Sequence, residues 1–544
     1  MDETGAQESS ARVYVRRFGP FPEISPPVFL LSAGIILTLI FFSGLFTELA
    51  DSVFSSVQTW ISVSFGWFYM LAVSFFLGFV LWLGFSRWGH VRLGDPFERP
   101  RFGLLGWFAM LFSAGMGIGL LFWSVAEPMY HYIDPPTGGE SSAAEAMRFT
   151  FLHWGLHAWG IYCVAGLAIG YFAYRQKLPL TIRSAFYPVL GDRIYGPIGH
   201  AIDIIAVVGT LLGVATSLGL GVLQINAGLN FLTGVPQNEG VQVAIIAGVT
   251  LIATLSVVAG LSRGIQRLSK LNIILSILLM IFLWLVGPTR FLTGFIVEST
   301  GEYLQNLIAL SLWNDAIGQT GWQEAWTVFY WGWWISWAPF VGMFVARVSR
   351  GRTIREFVLG VLLAPTLATF VWMGVFGGNA LHLEIFGGVA IGEAVQENVS
   401  TALFVMLENL PLQLITASVA TLIVLTYFVT SSDSGSLVID MLTAGGHTEP
   451  PTVQRVFWAV TEGVLAAVLL VAGGLGALQA AAIAAGLPFS VVMLGMCYCL
   501  VRGLQKYEPI APKPKQVEPR APKETMGDMD HAEEDLPERM TPTE

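Results

Sequence analysis

The sequence predicts an all-α polytopic membrane protein with twelve transmembrane helices. Three observations carry that prediction. Of 544 residues, 54% are hydrophobic and only 12% charged, with a mean hydropathy of +0.64, too little charge to cover a water-soluble core. Apolar segments near the ~20 residues needed to cross a bilayer recur twelve times. The basic residues are also segregated: with the N-terminus in the cytoplasm, only Arg148 and Arg290 of the 28 Lys and Arg fall outside, the bias that marks cytoplasmic loops.

Residues 1–26 read as a polar cytoplasmic segment without a signal peptide. Region 27–102 holds two peripheral spans, 27–46 and 61–85. Spans three to seven (103–126, 147–174, 200–233, 241–262 and 271–289) make a first block, 103–289. Region 290–322 is too polar to cross, and GFIVESTGEYLQNLIALSL at 294–312 has apolar residues at helical spacing, an amphipathic helix on the outer interface. Spans eight to twelve (323–346, 356–380, 411–431, 454–474 and 476–502) make a second block, 323–503. Residues 504–544, with Pro509, Pro512, Pro514, Pro519 and Pro522 before an acidic run, read as a disordered cytoplasmic tail. The expected location is the cell (inner) membrane, with both termini cytoplasmic.

Two spans look broken. SAGMGIG at 113–119 alternates three glycines, and in the eighth span Gly332, Ser336 and Pro339 interrupt a tryptophan-rich run. Non-helical backbone at membrane depth is tolerated where it lines a cavity. The two breaks open blocks of five spans that begin on opposite sides of the membrane, the pointer to a secondary transporter's binding site.

Large aromatics gather at the same place. FYWGWWISWAPF at 329–340 carries Trp331, Trp333, Trp334 and Trp337, and HWGLHAWGIY at 153–162 carries Trp154, Trp159 and Tyr162. On one continuous helix the latter three fall within an arc of about 140°. Aromatic faces attract cations, and methylated ammonium groups suit them because they donate no ordinary hydrogen bonds. Neither stretch holds a carboxylate, which favours trimethylammonium over primary amines. Trp60, Trp88, Trp107 and Trp322, near span ends, read as interface belt.

The stretches AGMGIGLLFWSVAEP (114–128), FLHWGLHAWGIY (151–162), FYWGWWISWAPFVGMFVARVSRGRTI (329–354) and TSSDSGS (430–436) together resemble the betaine/choline/carnitine transporter family over about residues 20–505. The resemblance implies a leucine-transporter-like 5+5 inverted repeat preceded by two extra helices, assembled as a homotrimer through the interfacial helix. It implies an ammonium box of Trp154, Trp159, Tyr162 and Trp334, with Trp333 and Trp337 along the route and Met116 at the substrate. It implies a sodium site from carbonyls of Ser113, Met116 and Tyr427 and hydroxyls of Thr430 and Ser431, hard oxygens that suit Na⁺. A second sodium site would use Thr210 near Phe340, but Val214 stands where a second threonine is expected, and Thr216 or water would have to compensate. Gly119 stands where proton-coupled choline carriers of the family tend to have Asp. The function implied is Na⁺-coupled symport of an onium compatible solute, glycine betaine first. A sodium-independent exchanger of carnitine/betaine type and a non-transporting osmotic sensor are the alternatives. The basic tail of osmosensing members is replaced here by an acidic, proline-broken one.

Other chemistry finds little support. Cys163, Cys497 and Cys499 lack zinc or redox spacing. His153 and His157 are spaced i, i+4, but HWGLH lacks the glutamate of a zinc protease motif and a clear third ligand. Of the intramembrane carboxylates Asp203, Glu324, Glu408 and Asp433, Asp203 and Glu408 read as solvated or capping, and Asp433 as an inner gate. No phosphate-binding loop or nucleophile and base pair points to an enzyme. No organic cofactor or nucleic acid is expected, and the partners are the onium solute, Na⁺, lipid and two further copies of the chain.

Overall fold

The computed structural model describes residues 15–115, 117–259 and 262–508, apart from the side chains of 112–115 and 262–266. The segment before the first span forms an antiparallel hairpin, β1 (Arg16–Phe18) and β2 (Phe21–Ile24). Helix α1 (Pro26–Leu45) starts on two prolines, pre-set for a first helical turn where no intrahelical donor is needed. Then come α2 (Thr47–Phe85), α3 (Leu104–Gly115), α4 (Ile118–Ile133), α5 (Ala143–Trp154) and α6 (Leu156–Gly170). Next are α7 (Pro197–Thr233), α8 (Glu239–Val258), α9 (Ser262–Val286) and α10 (Thr289–Leu312). Last are α11 (Thr327–Val348), α12 (Ile354–Gly387), α13 (Gln413–Thr443) and α14 (Thr452–Tyr507).

Among the described residues, nine helical stretches are long and apolar enough to cross a membrane. Helix α11 is also long enough, but its four tryptophans make it less apolar. The helices sort by exposure. Every residue of His157–Gly170 in α6 and Thr327–Met343 in α11 is buried, whereas α8 and α9 expose Leu251, Leu255, Ile274 and Leu285, as helices facing hydrocarbon do. The core thus lies along α11, which packs against α6, α7 and α14.

The breaks differ in part from expectation. The third segment is divided, α3 ending at Gly115 and α4 starting after Gly117, whose backbone is non-helical (φ −150°, ψ −146°). The eighth is not: α11 runs through Gly332, Ser336 and Pro339 without interruption. Gly332 serves packing, since a Cβ there would lie 2.8 Å from the Ile483 Cα. The Ser336 hydroxyl bonds back to the Gly332 carbonyl (2.7 Å) and across to the Ala482 carbonyl (2.8 Å). The fourth segment is broken instead, at Gly155 (φ −98°, ψ −140°) between α5 and α6. Helix α14 joins the last two expected spans across a kink at Gly473 and Gly474.

Candidate functional site

The break at Gly155 builds the first part of the site. A helix end leaves its last carbonyls without intrahelical partners, and the freed His153 carbonyl accepts the Trp334 indole N–H at 2.8 Å. Trp334 thereby sits at a hub. Its ring lies 4.9 Å from Trp154 at 73° and 6.2 Å from Tyr162 at 72°, and Tyr162 lies 5.5 Å from Trp159 at 76° (centroid distances). Trp154, Trp334, Tyr162 and Trp159 therefore form a run of faces meeting near right angles, as adjacent walls of an enclosure do. The expected arc on one helix is not the cause, because Trp154 lies before the break and the other two after it. Trp333 stacks on Trp334 at 4.6 Å and 13°.

Each of these tryptophans but Trp159 has a bond that fixes its plane. The Trp333 indole donates to the Ser217 hydroxyl (3.1 Å) and that of Trp337 to the Gly213 carbonyl (2.8 Å), tying α11 to α7. Gly119 is required by the same ring, since a Cβ there would lie 2.3 Å from Trp333 Cη2. The Tyr162 hydroxyl is buried without a hydrogen-bond partner among the described residues.

Behind the rings lies a carboxylate that the sequence reading passed over. Glu127, on α4, is fully buried. One oxygen accepts the Trp154 indole N–H at 2.6 Å and the Tyr330 hydroxyl. The other meets His153 Nδ1 at 2.7 Å and His131 Nε2 at 3.2 Å, and His153 Nε2 meets the Thr327 hydroxyl at 3.0 Å. Neither aromatic stretch holds a carboxylate, as expected, but the fold brings the Glu127 carboxyl from α4 against the backs of the rings. The signal available was a glutamate inside an apolar run, SVAEP at 124–128. His153 and His157 do not converge; His157 Nε2 bonds the Ser311 hydroxyl at 2.8 Å. Glu127, His131 and His153 have ligand atoms within 4.8 Å of one another, yet the bonds above already engage the atoms that would bind a metal.

Of the sodium ligands expected from α13, Ser431 lies beside the break in the third segment. A Cβ at Gly117 would lie 3.8 Å from the Ser431 hydroxyl oxygen. The Thr430 hydroxyl contacts the Thr426 and Tyr427 carbonyls at 3.1 and 3.2 Å, so the Tyr427 and Thr430 oxygens are adjacent. Met116 and the Ser113 side chain lie outside the described residues. At the second expected site the Thr210 hydroxyl bonds its own helix at Ala206 (2.8 Å), and Phe340 packs on Trp337 at 5.4 Å. The Thr216 hydroxyl donates to the Leu212 and Leu478 carbonyls, both at 2.8 Å.

Other candidates resolve differently. Asp203 is not solvated; it is fully buried, accepts the Arg183 backbone N–H at 2.9 Å and pairs with the Arg183 guanidinium. Glu408 is exposed. Asp433 pairs with Arg455 at 2.8 Å. Trp88, Trp107 and Trp322 are buried rather than belt residues, whereas Trp60 is 60% exposed.

Comparison with known proteins identifies the family. The model of the betaine/carnitine/choline family transporters matches residues 27–509. An uncharacterised transporter of Mycobacterium tuberculosis is 48% identical over 490 residues, 88% of this chain and 82% of that protein. The glycine betaine transporter OpuD of Bacillus subtilis is 45% identical over 503 residues (91% and 98%). The high-affinity choline transport protein of Escherichia coli is 43% identical over 490 residues (89% and 72%). The chain is therefore a multi-pass membrane transporter, not an enzyme, and belongs to the betaine/carnitine/choline transporter family.

Proposed function

We propose that the chain is a Na⁺-coupled symporter of an onium compatible solute, glycine betaine first, working by alternating access in the cell membrane. The observation that carries the reading is the run of four near-perpendicular aromatic faces, Trp154, Trp334, Tyr162 and Trp159, backed by the Glu127 carboxylate. The faces replace water around a methylated cation, each desolvated contact contributing on the order of 2 kcal/mol. Hydrogen bonds from Trp154 and Tyr330 to a carboxylate push electron density into those rings and strengthen the attraction. Relatives named for betaine and for choline both fit, because the attraction tolerates different groups around the ammonium.

Sodium would bind where Tyr427, Thr430 and Ser431 face the break at Gly117, joined by carbonyls of Ser113 and Met116. Val214 removes a hydroxyl from the second site, so one Na⁺ per solute is the proposed stoichiometry. In this reading twelve spans place both termini in the cytoplasm, the blocks 103–289 and 323–503 are inverted repeats, and three copies assemble through α10.

The test is uptake of labelled glycine betaine into proteoliposomes under an inward Na⁺ gradient, an inward proton gradient, or internal unlabelled betaine alone. Accumulation under Na⁺ is the expected result. Uptake only against internal betaine would make the protein an exchanger, and binding without uptake a sensor.

A further inference from the structure

Helix α14 carries an acidic side chain that neither the aromatic enclosure nor the sodium ligands use. Glu462 is fully buried. Its Oε2 accepts from the Ser432 hydroxyl at 3.4 Å, and its Oε1 has no hydrogen-bond partner among the described residues. The point where a Cβ on Gly435 would lie is 3.1 Å from Oε1 and 3.3 and 3.4 Å from the two Val214 methyls.

No described cation neutralises this carboxyl. Arg455, which acts on it electrostatically together with Asp433, is held by Asp433, with Nη2 2.8 Å from Oδ1 and 3.1 Å from the backbone carbonyl. Helix α13 otherwise brings Asp440, whose Oδ1 accepts from Gln454 at 3.0 Å. The charged groups of α7, His200 and Asp203, contact Arg183. Helix α8 has only Glu239 at its first residue, α2 only Glu48 and Asp51 near its start, and α1 none. Arg347 of α11 lies against Met441 at 3.8 Å, and the remaining basic residues of α14 are Arg502 and Lys506 near its far end.

A bare carboxylate in such a place is strongly disfavoured. Sodium would need several hard oxygens around it, whereas among the described residues the Ser432 hydroxyl is the hydrogen-bond partner of this carboxyl. A proton needs only the carboxylate itself. We propose that Glu462 is a proton-binding site, protonated on Oε1, and that the protonated form is the one that transports. Loss of the proton leaves a charge that competes with Asp433 for Arg455 and so disturbs the contact between α13 and α14. Ser432 directly follows the proposed sodium ligand Ser431, which places this disturbance beside the ion site. The proposal rests on the transporter reading above.

The test uses the full chain in proteoliposomes, as wild type, Glu462→Gln and Glu462→Asp, with equal pH on both sides and a fixed Na⁺ gradient. Wild-type betaine uptake should fall on the alkaline side by about tenfold per pH unit, the slope of one titrating proton. Glu462→Gln, shaped like the protonated acid, should lose that limb, and Glu462→Asp should keep it. Infrared difference spectra should show a protonated-carboxyl C=O band that disappears at high pH in wild type and is absent from Glu462→Gln. A wild-type alkaline limb in Glu462→Gln, or a carboxyl band the substitution does not change, would overturn the proposal. Absence of uptake in wild type would count against the transport reading, and the infrared spectra would still decide whether Glu462 holds a proton.

Discussion

At the scale of single residues, the proposed function concentrates on Trp334 and Glu127. Trp334 touches Trp154, Tyr162 and Trp333 and is tied to α5 by one hydrogen bond. Trp334→Leu keeps the site apolar but removes the face, and should weaken betaine binding by roughly 30-fold, equivalent to about 2 kcal/mol. Calorimetric titration of purified protein measures this, with Trp60→Leu as an unaffected control. Glu127→Gln retains an acceptor for Trp154 or Tyr330 but removes the charge that both share with His153 and His131. A bond to a buried charge contributes about 1.5–3 kcal/mol, so the variant should unfold earlier in denaturant. It should also lose affinity for betaine while keeping its affinity for an uncharged isostere. The tryptophans were legible in the sequence because a large ring with a polar N–H is out of place among aliphatics. Glu127 was less so, because apart from His131 four residues on, its partners lie 26, 27 and 203 residues away in the chain.

At the scale of elements, the question is why some glycines break helices and others do not. Three glycines in alternation lower helix propensity enough to predict the interruption at Gly117. Gly332 and Pro339 looked equivalent, yet α11 is surrounded by packed helices, and close approach to α14 repays the lost propensity. Gly155 stands without such a pattern, so its break was illegible; the broken conformation requires glycine, since a Cβ there would lie 2.4 Å from the Phe151 carbonyl and 3.0 Å from the Phe370 ring. Gly155→Ala should therefore cost about 1–3 kcal/mol and weaken betaine binding as the bond to Trp334 is displaced. Gly106→Ala, in α3 with nothing within 4 Å of the added methyl, should instead stabilise by up to about 1 kcal/mol. Denaturant unfolding followed by tryptophan fluorescence would read both signs, and equal effects would show that the break does not require glycine.

At the scale of the whole molecule, the lipid-facing helices and the proposed assembly surface have different signatures. Helix α10 buries Leu292, Phe295, Ser299, Tyr303 and Leu310 against its own chain. It leaves Val297 and Ile308 70% and 79% exposed, with Leu304 and Leu312 also exposed. Val297, Leu304 and Ile308 recur at helical spacing, so they form one stripe on the face opposite the buried one. Glu298 and Glu302 on the same helix keep it out of the hydrocarbon, where two carboxylates would be costly. An apolar stripe at that level needs either the lipid boundary or another copy of the chain. The second alternative gives a sharp expectation: the proposed trimer should fall to monomers in native mass spectrometry on Ile308→Glu. Betaine binding should persist, because the aromatic enclosure is built from α5, α6 and α11 of one chain. A trimer that survives the substitution would place the assembly contact elsewhere and leave the stripe to lipid.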